Sequence, residues 1–201
     1  NAAGVVSISN AAPVGSHTIT MRATDNCGAT TDATFTLTVN CVTSMTVNDL
    51  GDGTDASQGD GVCATAGGVC TLRAAIQEVN ALPACGGIAL NFSVTGTINL
   101  GSVLPNLTKS MSFNGPGADQ LTVRRNTGDN YRIFAVIGSS GITVHFSGLT
   151  ISNGLLTASS NGGGLIISGT GSSQYPMDQR TLTDRAPYGT SDSCGLNGLY
   201  V

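Results

Sequence analysis

Charge of either sign is scarce in this chain of 201 residues, which holds one lysine, Lys109, one glutamate, Glu78, and 10% charged residues in all. An ordinary globular domain carries about 25%. With so few Glu/Lys pairs to lace an exposed helix, strand and turn should dominate. The 8 basic side chains are outnumbered by 12 acidic ones, a net charge of -4. A nucleic-acid partner needs a basic face to displace counterions from phosphate, so no nucleic acid is expected. No run approaches about 18 uninterrupted apolar residues, so no membrane span is expected. The opening Asn1-Ala2-Ala3-Gly4 shows neither the basic head nor the apolar stretch of an export signal, which has been removed or was never included. What is present is an apolar share of 40%, with 28 glycines. The apolar residues are mostly Val, Ile, Leu and Ala in short runs, enough to fill a core.

Six cysteines, Cys27, Cys41, Cys63, Cys70, Cys85 and Cys194, in a chain poor in Lys and Glu fit an oxidising compartment, and the chain reads as secreted or displayed at a cell surface. No Cys-x-x-Cys pair occurs, and neither His17 nor His145 stands at ligand spacing from a cysteine, which argues against zinc. Six cysteines permit 15 pairings, and the sequence does not choose among them; Cys27 and Cys41 flank a hairpin-like segment and could close a loop there. Cys63 and Cys70 are placed to staple the loop before a helix, leaving Cys85 and Cys194 for each other or free. A catalytic thiol has no nearby histidine to activate it.

Three parts follow one another along the chain. In residues 1–40, His17 to Ala23 and Ala33 to Val39 alternate in hydrophobicity about a turn signal, Asp25-Asn26-Cys27-Gly28, and predict a hairpin. This stretch, with its Thr-Ile-Thr and Phe-Thr-Leu-Thr-Val runs, resembles the last strands of Ig-like modules of the hyalin-repeat kind in bacterial surface proteins. A complete sandwich needs about seven strands and about 100 residues, so a partial β-sandwich is expected.

Residues 41–171 open with a strand, Met45-Thr46-Val47, and an Asp/Gly-rich loop. A helix is predicted from an N-cap at Thr71 through Leu72, Ala75, Ile76, Val79 and Leu82, apolar at three- and four-residue steps, and ended by Pro83 and Gly86-Gly87. Short strands broken by Gly, Asn or Pro come next. The blocks Ile88 to Asn91, Met111 to Asn114, Ile133 to Val136 and Thr150 to Asn153 end 23, 22 and 17 residues apart. Such near-regular spacing predicts a solenoid whose rungs bury their apolar sides on each other. Asn91, Asn114 and Asn153 suit turn positions where side-chain amides bond neighbouring backbone.

The blocks Gly61-Val62-Cys63, Cys70-Thr71-Leu72-Arg73-Ala74-Ala75-Ile76-Gln77-Glu78-Val79-Asn80-Ala81, Gly115-Pro116-Gly117-Ala118 and Gly148 to Gly154, followed by Gly162-Gly163-Gly164, resemble the CSLREA domain over roughly residues 43 to 170. The match departs at Thr71 and Ala74, where that family usually shows serine and glutamate. The resemblance implies a bacterial exported protein. It also implies an all-β fold, a right-handed parallel β-helix of the pectin-lyase-like kind with an N-terminal helix cap, here preceded by the partial Ig-like segment. Residues 172–201 lose the Asn-Gly turns and the alternation, and read as an atypical cap or as unrelated sequence.

Two groups of charged residues are candidate sites. Asp49, Asp52, Asp55 and Asp60 with interleaved glycines supply the oxygen-rich, flexible backbone that Ca2+ takes, but lack the EF-hand spacing and its distal Glu. The competing reading is a solvated turn. Asp119, Arg124, Arg125, Asp129 and Arg132 form the best catalytic cluster, because β-helix carbohydrate enzymes need carboxylates set about a glycosidic bond or beside a basic residue. Compensating charges on a turn would look the same. No Gly-x-Ser-x-Gly elbow is present. The function expected is therefore a structural or adhesive segment of a longer secreted or surface protein, with a glycan or a surface protein as partner and no catalysis of its own. The alternative is a polysaccharide lyase or glycoside hydrolase, or a fragment of one.

Overall fold

A computed structural model describes residues 14–83, 85–126, 128–137, 141–156 and 163–168. The tail expected at 172–201, Cys194 within it, and the first residues of the 1–40 segment lie outside these.

The hairpin forms as its alternation predicts, from β1 (Gly15–Thr24) and β2 (Thr30–Val39), antiparallel from the Gly15/Val39 pair to the Thr24/Thr30 pair. At its turn the Asp25 carboxylate accepts from the N–H groups of Cys27 and Ala29, and Gly28 supplies the left-handed φ of 85°. Period-two geometry sorts the side chains. His17, Ile19 and Met21 face Leu37, Phe35 and Ala33 across one side; Ser16, Thr18 and Thr20 face Thr38, Thr36 and Thr34 across the other. No residue of either strand is buried.

Beyond the hairpin come β3 (Ser44–Val47), α1 (Leu72–Ala81), β4 (Ile88–Phe92), β5 (Gly96–Leu100), β6 (Met111–Asn114), β7 (Leu121–Arg125), β8 (Phe134–Ile137), β9 (Val144–Ser147), β10 (Thr150–Ser152) and β11 (Leu165–Ser168). The strands join in parallel into three small sheets, ordered β3-β4-β6-β9, β10-β7-β5 and β11-β8. Register aligns like with like. Met45, Leu90, Phe113 and Phe146 are neighbours across the four-stranded sheet, and Ile98, Val123 and Ile151 across the three-stranded one. All seven are buried. Phe113 stacks on Phe146 with centroids 4.6 Å apart, and Phe134 closes on both.

Helix α1 lies in the same core, with Leu72, Ala75, Ile76 and Val79 at 0% exposure. Burying a side chain the size of Leu or Ile contributes about 1.5–3 kcal/mol. The predicted N-cap is present: the Thr71 hydroxyl accepts from the Ala74 N–H at 3.1 Å and donates to the Gly53 carbonyl at 2.6 Å. Glycine is required where Gly115 and Gly148 meet, since a Cβ on either would overlap the other's carbonyl oxygen.

These observations correct the expected fold class. A coil of uniform rungs needs a constant offset between paired strands. Here Ser44 pairs with Ala89, Ile88 with Met111 and Met111 with Val144, offsets of 45, 23 and 33 residues. The four blocks read from sequence as one repeating column are split among three sheets, β4 and β6 in one, β8 and β10 in two others. With a core helix and one antiparallel sheet besides, the architecture is a set of small, mostly parallel sheets with one short helix. It is neither an all-β right-handed parallel β-helix nor, at its start, a partial Ig-like β-sandwich. The hairpin is a single two-stranded sheet, and a sandwich requires a second sheet packed on its apolar face. Spacing near twenty residues misled because a parallel return of any kind needs a crossover of a dozen residues or more. Among the described residues no helix is long and apolar enough to cross a membrane.

Candidate functional site

Of the four buried charged residues among those described, Asp55, Arg73 and Glu78 lie where the Asp/Gly loop wraps α1. Arg73, 7% exposed, points out of the helix between two segments distant in sequence. Its Nε and Nη2 donate to the two oxygens of Asp52 at 2.9 and 2.8 Å, and its remaining N–H groups reach the carbonyls of Val103 and Ser102 at 2.8 and 2.9 Å. Asp52 also accepts from the Gly101 N–H at 2.8 Å. One ion pair thus ties loop, helix and the end of β5 together. A bidentate guanidinium–carboxylate pair with its other polar atoms satisfied is the geometry in which burying charge is tolerable.

One turn further along α1, Glu78 is fully buried. Its two carboxylate oxygens accept from the backbone N–H groups of Gly59 and Gly61. Both glycines sit at positive φ, 92° and 89°, a conformation open to glycine that turns the two N–H groups towards one anion. Desolvation raises the Glu78 pKa above its ordinary value; the two glycine N–H bonds oppose that rise, and repulsion from Asp55 and Asp60 adds to it. Gln77 accepts from the Asp55 N–H at 2.8 Å, and Asn80 bridges the Asn106 carbonyl and Thr108.

The four aspartates named as calcium candidates are each engaged with main-chain or arginine donors. Asp49 accepts from Gly51 N–H, Asp55 from Ser57 and Ala64, Asp60 from Val62, and Asp52 holds Arg73. Among the described residues no three His, Cys, Asp or Glu side chains gather as a metal site. The loop is built as a set of Asx turns clamped to a helix.

Of the expected disulfides, Cys63–Cys70 is present, at the mouth of the loop. Cys41 bonds Cys85 rather than Cys27, and Cys27 is free and exposed. The physical reason is reach. Cys27 lies at the hairpin turn, a ten-residue strand of about 33 Å from Cys41, whereas bridged Cα atoms stand about 4.4–6.8 Å apart.

The second candidate cluster is not assembled into one site. Arg125 is buried, donating to the carbonyls of Asn153, Asn126 and Asp129, with its guanidinium 5.9 Å from the Tyr131 ring centroid. Arg124, its neighbour on β7, is exposed on the opposite face, as period-two geometry dictates. Asp119 and Asp129 are exposed, and Arg132 is half-buried. Asn153 does what its residue type predicts: at φ 59° its amide donates to the Arg125 carbonyl at 2.8 Å. Asn114 instead donates to Asn91, amide to amide, at 3.1 Å.

Sequence reasoning missed Glu78 and Arg73 as the organising residues. The available signal was the chain's single glutamate in a helix of otherwise apolar spacing; its partners, 17 and 19 residues away, leave no local trace. Comparison with family models, with curated proteins and with solved structures gives no match.

Proposed function

We propose that this chain is a structural, adhesive segment of a bacterial protein exported to or displayed at the cell surface, acting through its surface and not through chemistry of its own. The observation that carries this reading is the use of the charged groups. Arg73, Asp52, Asp55, Glu78 and Arg125 are all engaged with backbone atoms or with each other, an arrangement that spends these charged groups on fixing chain segments. Two disulfides fit an oxidising compartment. The resemblance of residues 43 to 170 to the CSLREA domain supports membership of a larger exported protein.

The test is binding and turnover on the intact chain. Arrays of glycans and surface proteins are expected to show a saturable ligand. Incubation with polygalacturonate and mixed glycans, with and without calcium, is expected to release no product. Turnover that vanishes in a folded Arg125→Ala variant overturns the reading in favour of a carbohydrate-active enzyme.

A further inference from the structure

The four-stranded sheet turns one face to the core and the other outward. Ser44, Ala89, Ser112 and His145 form one outward row across β3, β4, β6 and β9. Thr46, Asn91, Asn114 and Ser147 form the next. None of these residues is buried. The rows carry hydroxyls, amides and one imidazole, with no Asp, Glu, Lys or Arg. Within the second row Asn114 donates to Asn91.

Resting on the adhesive reading above, we propose that this face binds a neutral polysaccharide laid across the strands. Three arguments select that ligand. An anionic polymer wants a basic surface to replace its counterions, and the face has no positive side chain. A protein partner wants aromatic or arginine anchors set in pockets, and the face has neither. A neutral glycan presents hydroxyls that both donate and accept, which is the capacity of Ser, Thr and Asn side chains. The geometry favours a polymer over a single sugar, because the second row presents a hydroxyl or an amide on each of the four strands, about every 4.8 Å. The other solvent-facing sheets are less suited, since the outward row of the three-stranded sheet includes Arg124 and the hydroxyl side of the hairpin carries the Arg22–Asp32 ion pair.

Affinity electrophoresis of the full chain through gels containing xylan, mannan, β-glucan or polygalacturonate tests this. At least one neutral polymer is expected to retard the protein, and polygalacturonate to do so more weakly. Thr46→Arg, at an exposed position, and separately Ser112→Arg are expected to weaken retardation at least tenfold with an unchanged melting temperature; Thr20→Arg on the hairpin is expected to leave it unaltered. Retardation that survives Thr46→Arg and Ser112→Arg in folded protein, or that is strongest with polygalacturonate, overturns the assignment of this face while leaving an adhesive role intact. If no glycan retards the chain but a surface protein binds it, the neutral-glycan assignment falls and the adhesive reading stands. If neither binds, both fall.

Discussion

Residues 15–39 and residues 88–152 are written in the same alternating code, yet they fold to opposite ends of the burial scale. In the hairpin Ile19 pairs with Phe35 and Leu37 with His17, and none of the four is buried. In the parallel sheets Leu90, Phe113, Ile98 and Val123 occupy equivalent alternate positions and are at 0% exposure. The difference is the presence of a second layer. Alternation makes a strand two-sided, and burial follows only if another element covers the apolar side. The parallel sheets cover one another and receive α1, whereas the hairpin is held by its backbone ladder, an Asx turn and one surface ion pair. An isolated two-stranded hairpin is marginal in water, so the two regions should respond very differently to the loss of a single contact.

The largest effect is expected from Arg73→Ala. It leaves Asp52 with the Gly101 N–H alone and strips two carbonyls of their donor. Removing one member of a buried pair costs about 3–5 kcal/mol, read as a fall in urea midpoint monitored by the near-UV signal of the aromatic side chains. A loss below about 1 kcal/mol, the range of exposed pairs, would erase the contrast between the two regions. Next in size is the Cys41→Ala/Cys85→Ala pair. Its bridge closes a loop of 44 residues, against 7 for Cys63–Cys70; chain entropy assigns about 4 kcal/mol to the first and about 2 to the second. Equal losses from this variant and from Cys63→Ala/Cys70→Ala would show that the bridges act by native packing instead.

How much of this could be read in advance depends on distance along the chain. The helix was legible to within a residue at each end, because Thr71 and the apolar steps from Leu72 to Val79 are local. So was the hairpin, with Asp25 and Gly28 at its turn. The assignment of strands to sheets was not, since spacing along the chain alone placed Ile133 to Val136 in one column with Met111 to Asn114. In the fold it pairs with β11 in another sheet and packs Phe134 against Phe113 and Phe146. The clamp on α1 was equally hidden, because the Glu78 carboxylate and the Arg73 guanidinium find partners 17 to 30 residues away.

Glu78→Gln probes the clamp more gently. The amide keeps one acceptor oxygen for Gly59 or Gly61 and sets an NH2 against the other N–H, leaving one buried donor unpaired at about 1–3 kcal/mol. Its pH dependence has a defined sign. Burial raises the Glu78 pKa, so between the ordinary value of 4.5 and the raised one the folded chain holds a proton that the unfolded chain has released. Stability from this group is present in full below 4.5 and is lost as pH rises through the raised value. Urea midpoints measured across that window should fall with pH in the native chain by more than in Glu78→Gln. Parallel curves would show that Glu78 does not titrate differently in the folded state.

The smallest change is expected from Arg22→Ala, although its pair with Asp32 is as short and as bidentate as the one between Arg73 and Asp52: 2.7 and 2.8 Å against 2.9 and 2.8 Å. The two side chains of the hairpin pair are 65% and 40% exposed, those of the buried pair 8% and 17%. Water and salt screen the first, and two long side chains give up rotamer freedom to form it. The Asp32 carboxylate is held below its ordinary pKa by the Arg22 guanidinium, so acid should release this pair only below the usual carboxylate range. No resolvable shift in melting temperature is expected from Arg22→Ala at physiological salt. A shift comparable to that of Arg73→Ala would mean that the hairpin is covered by a partner layer in solution, since equal geometry can have equal weight only at equal burial.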